Sequence, residues 1–458
     1  MGKMTLIIVI GFNIIFMLMG FNLSGIASHS YSNYTNYYNV EQAQFLAESA
    51  ANVAIGSLYQ NSMWLYGDST IHNHSLEGGT YSIQAKRSYP GGASYVTFNI
   101  VSSYSSMYDT TTVVCNIPSY SSFAMYTCNE NGSPWTAGDT CNGKFHSDTT
   151  LIIGGSSGQS AVFNGSVSVG NGIDSTGAVS AGAHPQFKQG APINGVKLGW
   201  LNNFNAVTTT TGYDSSDFGG ASKAKNRDIY IQLYNDGTVD VDTGAPYWGN
   251  AKTKNGAGWY HATKLRNRVP ITQLGNNGNI AAGAGIGVMG IMDTGATGNI
   301  HVRGTLSGKL TIANLGHGNV FIDSNVVYND TSKDLLGLVA ADTMYITYDS
   351  ANTKGSVKIQ GAILAKTFAA QQPDSNYIPT PVVNKAALFL YGSLAQKNRG
   401  RAGGGDAITG TGFQKRYTYD WRFAGGSNAA PSYPTLPYFQ ILSWYDRMAW
   451  NTSWWSNW

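Results

Sequence analysis

Apolar and polar residues follow three successive patterns along the chain. The segment from Met4 to Ile26 is almost continuously apolar, and no charged residue occurs from Met4 to Val40. A run of about 20 apolar residues is long enough to span a membrane as a helix. The first pattern therefore predicts a membrane-spanning helix at the N-terminus.

The second pattern is an amphipathic helix that continues the first. Beyond Val40 a stripe of apolar and small residues recurs at helical spacing. The stripe consists of Phe45, Ala47, Ala50, Ala51, Ala54, Ile55 and Leu58. Small residues permit close approach of neighbouring helices. We expect a stalk helix over residues 1–61, with packing contacts through Phe45, Glu48, Ala51 and Ile55.

The third pattern is alternation of apolar and polar residues, which indicates β-strands. Between Gly78 and Cys115 it predicts two or three antiparallel strands, and we assign residues 62–127 to a small sheet. From Phe145 to Tyr391, short Val, Ile and Leu runs recur at about twenty residues, which is typical of a stacked parallel β-solenoid. We assign residues 128–398 to it; a jelly roll or other sandwich is the alternative.

Two parts of the β region differ from the rest. Residues 190–270 are rich in Asn, Gly, Lys and Trp and are interpreted as an insertion, with a hairpin around Asn235-Asp236-Gly237. Residues 399–458 are interpreted as a C-terminal cap. Their last nine residues, from Trp450 to Trp458, are either part of that cap, an adhesive patch or a disordered end.

These elements predict a mainly β protein with a long N-terminal helix, a small antiparallel sheet and an elongated parallel β-solenoid. Lys3 precedes the uncharged span, which favours an orientation with the remainder of the chain outside the cytoplasmic membrane. A cleaved secretory signal, ending around Ala27-Ser28-His29, is the alternative. The expected location is the cell envelope, with a periplasmic or extracellular ectodomain.

Charge and cysteine content narrow the function classes. Charged residues make up 12% of the chain, the net charge is +3, and the basic residues are scattered, so we expect no nucleic-acid partner. Cys128 and Cys141 flank a loop rich in turn formers, and a disulfide between them is one interpretation in an oxidising compartment. Cys115 leaves other pairings open. A zinc site is disfavoured because no Cys-x-x-Cys or His pair stands nearby.

The N-terminal sequence resembles a known family. Met4-Thr5-Leu6-Ile7 followed by an apolar helix resembles the start of type IV pilins, and the segment from Gln44 to Ala54 is similar to PilX-type minor pilins. This resemblance implies pilin subunits as partners and the inner membrane as the location before assembly. Ile8 stands where major pilins carry glutamate, and Lys3 stands where the prepilin peptidase expects glycine.

A second resemblance concerns the rest of the chain. The phrases His301-Val-Arg-Gly, Asp334-Leu-Leu-Gly-Leu-Val-Ala and Leu390-Tyr-Gly-Ser-Leu-Ala-Gln-Lys-Asn-Arg-Gly occur in this order. They are similar to those of uncharacterised bacterial envelope proteins that join a pilin-like stalk to a β-solenoid. This resemblance implies an architecture and a location, and no assigned chemistry.

Candidate chemistry is sparse in the sequence. A β-helix enzyme acting on polysaccharide needs carboxylates across a groove, and the acids in the predicted strands do not stack on one face. They are Asp293, Asp323, Asp334, Asp342 and Asp349. The acids Asp236, Asp240 and Asp242 are interpreted as a solvated hairpin, because no calcium-binding loop follows. We therefore expect no cofactor and no metal.

The sequence favours a non-enzymatic envelope protein that is associated with type IV pili and presents a β-solenoid for attachment or assembly. Abundant Tyr and Trp suit contact with surface glycans, because aromatic faces stack on sugar rings. The alternative is a secreted or anchored parallel β-helix polysaccharide lyase or hydrolase.

Overall fold

The computed structural model describes most of the chain, with gaps. The described residues are 2–61, 64, 70–88, 95–136, 138–154, 160–180, 182–200, 213–214, 228–244, 263–271, 288–291, 294–346, 356–370, 386–404, 411–425, 430–431, 433–436 and 439–447. These residues divide into two compact units. Among the described residues, the small unit comprises residues 2–61, 64, 70–88, 95–116 and 439–447, and the large unit comprises the residues from 117 to 436.

The small unit begins with one helix, α1, which runs from Gly2 to Gln60 over 59 residues. Its apolar first part is long and hydrophobic enough to cross a membrane. Its last part packs against a sheet through Ala43, Leu46, Ala47, Ala50, Ala51, Ala54 and Leu58, all of which are buried. The prediction of one long N-terminal helix is thus confirmed, from Gly2 to Gln60.

The sheet of the small unit has five antiparallel strands in the order β1-β2-β3-β4-β28. Their bounds are β1 Thr70–Leu76, β2 Gly79–Ser88, β3 Tyr95–Tyr104, β4 Met107–Asn116 and β28 Gln440–Arg447. Burial alternates along β2, β3 and β4, because alternate side chains face α1. Ile83, Phe98 and Val113 belong to this core.

The large unit starts with short strands. These are β5 Met125–Asn129, β6 Thr140–Asn142, β7 Phe145–Ser147, β8 Leu151–Ile152, β9 Val162–Phe163, β10 Val167–Val169, β11 Ile173–Asp174, β12 Gln186–Phe187 and β13 Ile193–Asn194. A short helix, α2, covers Thr176–Ser180. Strands β8 and β11 form a separate parallel pair.

The remaining strands are longer. They are β14 Tyr213–Asp214, β15 Asp228–Leu233, β16 Thr238–Gly244, β17 Thr263–Pro270, β18 Val288–Ile291, β19 Ile300–Leu306, β20 Lys309–Asn314, β21 Val320–Tyr328, β22 Leu335–Ile346, β23 Val357–Ala370, β24 Ala387–Arg399, β25 Gly403–Gly404, β26 Thr411–Gly412 and β27 Gln414–Tyr419. Except for β8, β11, β25 and β26, the strands of the large unit join one 19-stranded sheet.

Most neighbours in the large sheet are parallel, and they align buried apolar residues in columns. One column contains Met289, Ile312, Leu338, Ile363, Leu394, Met125, Phe145 and Val167. Each member is buried, so the column is continuous core. The prediction of a mainly β protein with one long N-terminal helix is confirmed.

The order of this column differs from the order of the sequence. Strand β24 from the C-terminal half pairs in parallel with β5 from the N-terminal half, and β27 pairs with β6. We call these two pairings the seam. The chain thus enters the large unit in the middle of the stack, and Ser119 forms an antiparallel bridge with Thr435 near its exit.

Long strands change partners at glycines. Gly361 and Gly392 are paired across β23 and β24, with φ of 155° and 151°. A Cβ atom on Gly392 would lie 1.9 Å from the Gly361 carbonyl oxygen. Residues before Gly392 also pair with β27, whereas residues after it pair with β5. Only a residue without Cβ permits this close approach at the change of partner.

The structure corrects the predicted domain boundaries. Strand β5 belongs to the large sheet, so the small sheet ends before residue 127. The predicted cap at 399–458 is divided, because β27 pairs within the large sheet and β28 pairs with β4. The sequence from Trp450 to Trp458 lies outside the described residues.

The predicted hairpin is confirmed, but it does not stand apart from the large sheet. Leu233 of β15 pairs with Val239 of β16 in antiparallel register around the Asn235-Asp236-Gly237 turn. Strand β15 also pairs in parallel with β19 on its other side. Much of the predicted insertion at 190–270 lies outside the described residues.

Candidate functional site

The candidate site is the first part of α1, residues 2–34, which we call the exposed helix segment. Large apolar side chains along it are exposed, including Ile7, Phe16 and Leu23. Exposed apolar surface is unfavourable in water and favourable in lipid or against other helices. The segment therefore has the chemistry of a membrane span or of a helix that packs among other helices.

The four residues predicted to pack from the stalk have different environments. Ala51 is fully buried and Ile55 packs against the core of the small unit. Glu48 is half-buried and accepts a hydrogen bond from Gln44 at 3.3 Å. Phe45 is 56% exposed and lies outside the buried stripe. The reason is that helical rotation places Phe45 opposite the alanines.

The alanine stripe packs against the protein's own sheet. Ser102 of β3 donates a hydrogen bond to the Ala43 carbonyl oxygen at 2.6 Å. At Gly79, an added Cβ would lie 2.6 Å from a Leu46 methyl carbon. Small residues on both elements therefore allow close contact between helix and sheet.

A buried carboxylate lies between this part of α1 and the sheet. Asp109 of β4 is 3% exposed. Burial, together with the nearby carboxylates of Asp446 and Glu48, raises its pKa above the ordinary value, although the Thr110 backbone amide opposes that rise. Asp446 itself accepts a hydrogen bond from Thr111 at 2.8 Å.

The cysteines contradict the predicted disulfide. All three lie in described residues and are free thiols. Cys128 is on β5, which pairs with β7 and β24, whereas Cys141 is on β6, which pairs with β9 and β27. The two thiols thus belong to different columns of the sheet. Burial raises the pKa of Cys128 and of Cys141 to about 12.

The acids considered for catalysis have separate structural partners where they are described. Asp323 contacts His301 at 2.9 Å, and Asp334 accepts a hydrogen bond from the Gly308 amide at 2.7 Å. Asp342 contacts Lys366 at 3.3 Å. Asp293 and Asp349 lie outside the described residues.

The hairpin acids also have hydrogen-bond partners. Asp236 accepts from the Thr238 amide at 3.1 Å, and Asp240 accepts from the Tyr234 hydroxyl at 2.8 Å. Asp242 is described through its backbone alone. Across the part of the chain that the structure describes, no cluster of three or more His, Cys, Asp and Glu residues is arranged to hold a metal ion.

The large unit contains a hydrogen-bonded group of Ser, His and Asp that no sequence pattern predicted. His146 contacts Ser168 at 2.8 Å through Nδ1 and Asp148 at 2.9 Å through Nε2. Asp148 also accepts hydrogen bonds from the amides of Leu198 at 2.6 Å and Gly199 at 3.0 Å. Burial would raise the pKa of Asp148, but these hydrogen bonds hold it below the ordinary value.

These three residues are buried or half-buried within the large unit. His146 is fully buried and its ring stacks on Tyr126 at 5.3 Å between centroids. Asp148 then fixes the backbone at Leu198 and Gly199 over these strands. The parallel pairing of β7 with β10 brings Ser168 beside His146. No local sequence pattern predicts that pairing.

The seam contains two buried ion pairs that no sequence pattern predicted. Arg399 pairs with Glu130, and Lys415 Nζ lies 2.5 Å from an Asp139 carboxylate oxygen. Both cations lie over the buried Trp135 ring, at 4.7 Å for Arg399 and 5.4 Å for Lys415. Each ion pair joins the two halves of the large sheet.

Comparisons with known proteins give little information. No known protein family and no curated protein matches the sequence. Among solved structures, the chain is similar to the crystal structure of the competence-associated pilin ComZ from Thermus thermophilus, with 13% identity and a TM-score of 0.29. That alignment covers 89% of this chain and 97% of the other. A similarity this weak supports no conclusion about fold or function.

Proposed function

We propose that this protein is a non-enzymatic, pilin-like component of the cell envelope, associated with type IV pili. One observation carries the proposal. A single helix has an exposed apolar first part, while its last part is packed on a small antiparallel sheet. This division suits a subunit whose helix is held first by lipid and then by other helices.

The exposed helix segment contains the apolar run from Met4 to Ile26. An apolar run of this length is long enough to cross the hydrocarbon core of a bilayer as a helix, so the inner membrane would cover it before assembly. In a filament, helices of other pilin subunits would replace the lipid, with small residues allowing close packing. The PilX-type resemblance supports this assignment, while Lys3 and Ile8 make processing of the leader the step to test.

The large unit is proposed to be a β-solenoid outside the cell membrane. Its parallel pairings align apolar residues of successive repeats, such as Ile312, Leu338 and Ile363, as in stacked coils. A sheet of this kind offers a repetitive outer surface for attachment or assembly. The separate structural partners of Asp323, Asp334 and Asp342 favour this role over a polysaccharide lyase or hydrolase.

The test of membrane and filament association uses two matched double variants of α1. Ile15→Lys with Met19→Lys places two cations in the exposed helix segment, at a cost of about 3 kcal/mol each for insertion. Asn52→Lys with Gly56→Lys adds the same charges at the same spacing to exposed positions of the packed part. We expect the first pair to abolish recovery in membranes and sheared filaments, and the control pair to retain membrane recovery.

N-terminal sequencing of native protein completes the test. A mature chain that begins near Met4, or keeps the span, and copurifies with filaments supports the proposal. A soluble chain that begins after Ser28 contradicts it. Release of reducing or unsaturated ends from polysaccharide by the purified protein, abolished by substitution of one carboxylate, would contradict the non-enzymatic role.

A further inference from the structure

Three neighbouring parallel strands place two cations on either side of an aromatic ring. Lys358 of β23 pairs in register with Phe389 of β24, which pairs with Arg416 of β27. The residues immediately before and after each of them are buried, so all three side chains point outward. Phe389 is 44% exposed. Since parallel strands lie about 4.8 Å apart, the backbones of the two cationic residues lie about 10 Å apart.

A second row runs beside the first, two residues further along each strand. Tyr391 is in register with Thr418, and Thr418 is in register with Asn142 of β6. Asn142 donates a hydrogen bond to Thr418 at 3.3 Å and accepts one from Asn164. We call the two rows together the β24 face. It combines aromatic rings with amides and hydroxyls, the groups that hydrogen-bond to sugars.

The charge of the β24 face has one sign. Residues 358–360, 389–391, 414–418 and 140–142 include no Asp or Glu. The neighbouring Asp139 is buried against Lys415. The face therefore attracts anionic groups, and its exposed aromatic ring supplies a flat apolar platform.

These features distinguish between anionic polymers. Binding to nucleic acid relies on many closely spaced cations that contact phosphates. The β24 face instead has two cations separated by an aromatic ring and flanked by neutral amides and hydroxyls. That spacing suits a chain of sugar rings in which only some groups carry charge.

We propose that the β24 face binds an anionic polysaccharide, with Phe389 beneath a sugar ring and with Lys358 and Arg416 against carboxylates on either side. Tyr391, Thr418 and Asn142 then contact ring faces and hydroxyls of the same polymer. The inference rests on the proposed function for its setting at the cell surface. It concerns binding alone and involves no bond cleavage.

The experiment measures binding of the full chain in detergent to alginate, a polymer of uronic acids, with neutral dextran and duplex DNA as comparison polymers. The variants are Phe389→Ala and the double Lys358→Gln with Arg416→Gln. Matched controls are Tyr108→Ala, an exposed aromatic in the small unit, and Lys309→Gln, an exposed cation elsewhere in the large unit. Circular dichroism and the thermal midpoint confirm folding of each variant.

We expect alginate to bind more tightly than dextran and DNA, and binding to weaken with salt. Both test variants should lose about tenfold or more in affinity, while both controls keep the affinity of the unchanged protein. Absence of alginate binding, tighter binding to DNA, or equal losses in test and control variants would overturn the proposal. Because the assay needs no filament, its failure is distinguishable from failure of pilus association.

Discussion

Arg399 donates a hydrogen bond to the carboxylate of Glu130, 269 residues earlier in the chain, and both side chains are 2% exposed. Arg399 also donates to the Ser133 carbonyl oxygen at 3.0 Å. The pair lies in the seam, where the last long strand of the C-terminal half meets the first strand of the N-terminal half. A contact this distant in sequence is formed only when both halves have folded.

Removing one partner of this pair should destabilise the large unit. Glu130→Gln leaves the Arg399 cation buried without its counter-charge, which we expect to lower the free energy of unfolding by about 3 to 5 kcal/mol. The measurement is urea unfolding of the full chain in detergent, followed by tryptophan fluorescence. Lys366→Gln, which breaks the half-exposed pair with Asp342, is the control and should cost at most about 1 kcal/mol. Equal losses in both variants would contradict the prediction.

The second ion pair of the seam should make the large unit sensitive to acid. Burial alone would raise the pKa of Asp139, but Lys415 and the backbone amides of Thr136 and Lys415 outweigh it and hold the pKa below the ordinary value. A depressed folded-state pKa stabilises the protein above the unfolded value of about 3.9, and this contribution is lost as pH falls below it. Thermal midpoints of the unchanged protein and Asp139→Asn, measured from about pH 2 to pH 7, should therefore converge in acid. If the two thermal midpoints differ by the same amount at every pH, the prediction is contradicted.

Asp109 should make the stability of the small unit depend on pH in the opposite direction. Its pKa is raised by burial and by the carboxylates of Asp446 and Glu48. A carboxyl with a raised folded-state pKa contributes stability below its unfolded pKa and loses that contribution as pH rises through the folded value. Asp109→Asn should thus raise the thermal midpoint of the small unit at pH 7 and have little effect near pH 3. A lower midpoint at pH 7 would show that the ionised carboxylate stabilises the sheet.

A methyl group at Gly392 should not be tolerated. Its Cβ would lie 1.9 Å from the Gly361 carbonyl oxygen, and backbone atoms on both strands would have to move. We expect Gly392→Ala to cost more than about 4 kcal/mol, an exceptional value for one methyl group. Gly172→Ala is the control, since that glycine has φ of 92° but open space around it. It should cost only about 1 kcal/mol, for backbone strain. Thermal unfolding distinguishes the two.

Helix packing in the small unit should be limited by the size of Ala50. Ala50 is fully buried, so Ala50→Leu would separate α1 from the sheet and cost about 1 to 3 kcal/mol. Phe45→Ala removes a larger side chain, but one that is 56% exposed, and should change stability by no more than about 0.5 kcal/mol. Hydrogen exchange of β2, β3 and β4 reports the difference. Faster exchange in the Phe45 variant than in the Ala50 variant would reverse the assignment of the packed face.

Local patterns predicted the local elements well. Alternation along Val96, Phe98 and Ile100 indicated a half-buried strand, and the three residues are buried on one face of β3. The Asn235-Asp236-Gly237 turn identified its hairpin because the turn type demands those residues. The helical spacing of the alanines identified the face of α1 that packs on the sheet, whereas Phe45 lies on the exposed side.

No local sequence pattern predicted the pairings between strands that are distant in sequence. Strand β28 completes the small sheet although nearly the whole large unit separates it from β4 in sequence. Arg399, interpreted as the start of a cap, pairs with Glu130, because parallel stacking depends on register between strands rather than on local composition. The same reason explains why the contact between His146 and Ser168 was missed.

The pairing of Asn116 with Gln440 joins the two points at which the chain leaves and re-enters the small sheet. These residues are the end of β4 and the start of β28, so the large unit occupies the sequence position of a hairpin loop between two neighbouring strands. A shortened chain that connects Asn116 to Gln440 by a tight turn would keep the order of all five strands. The strand order of the small sheet is thus independent of the length of chain inserted between β4 and β28.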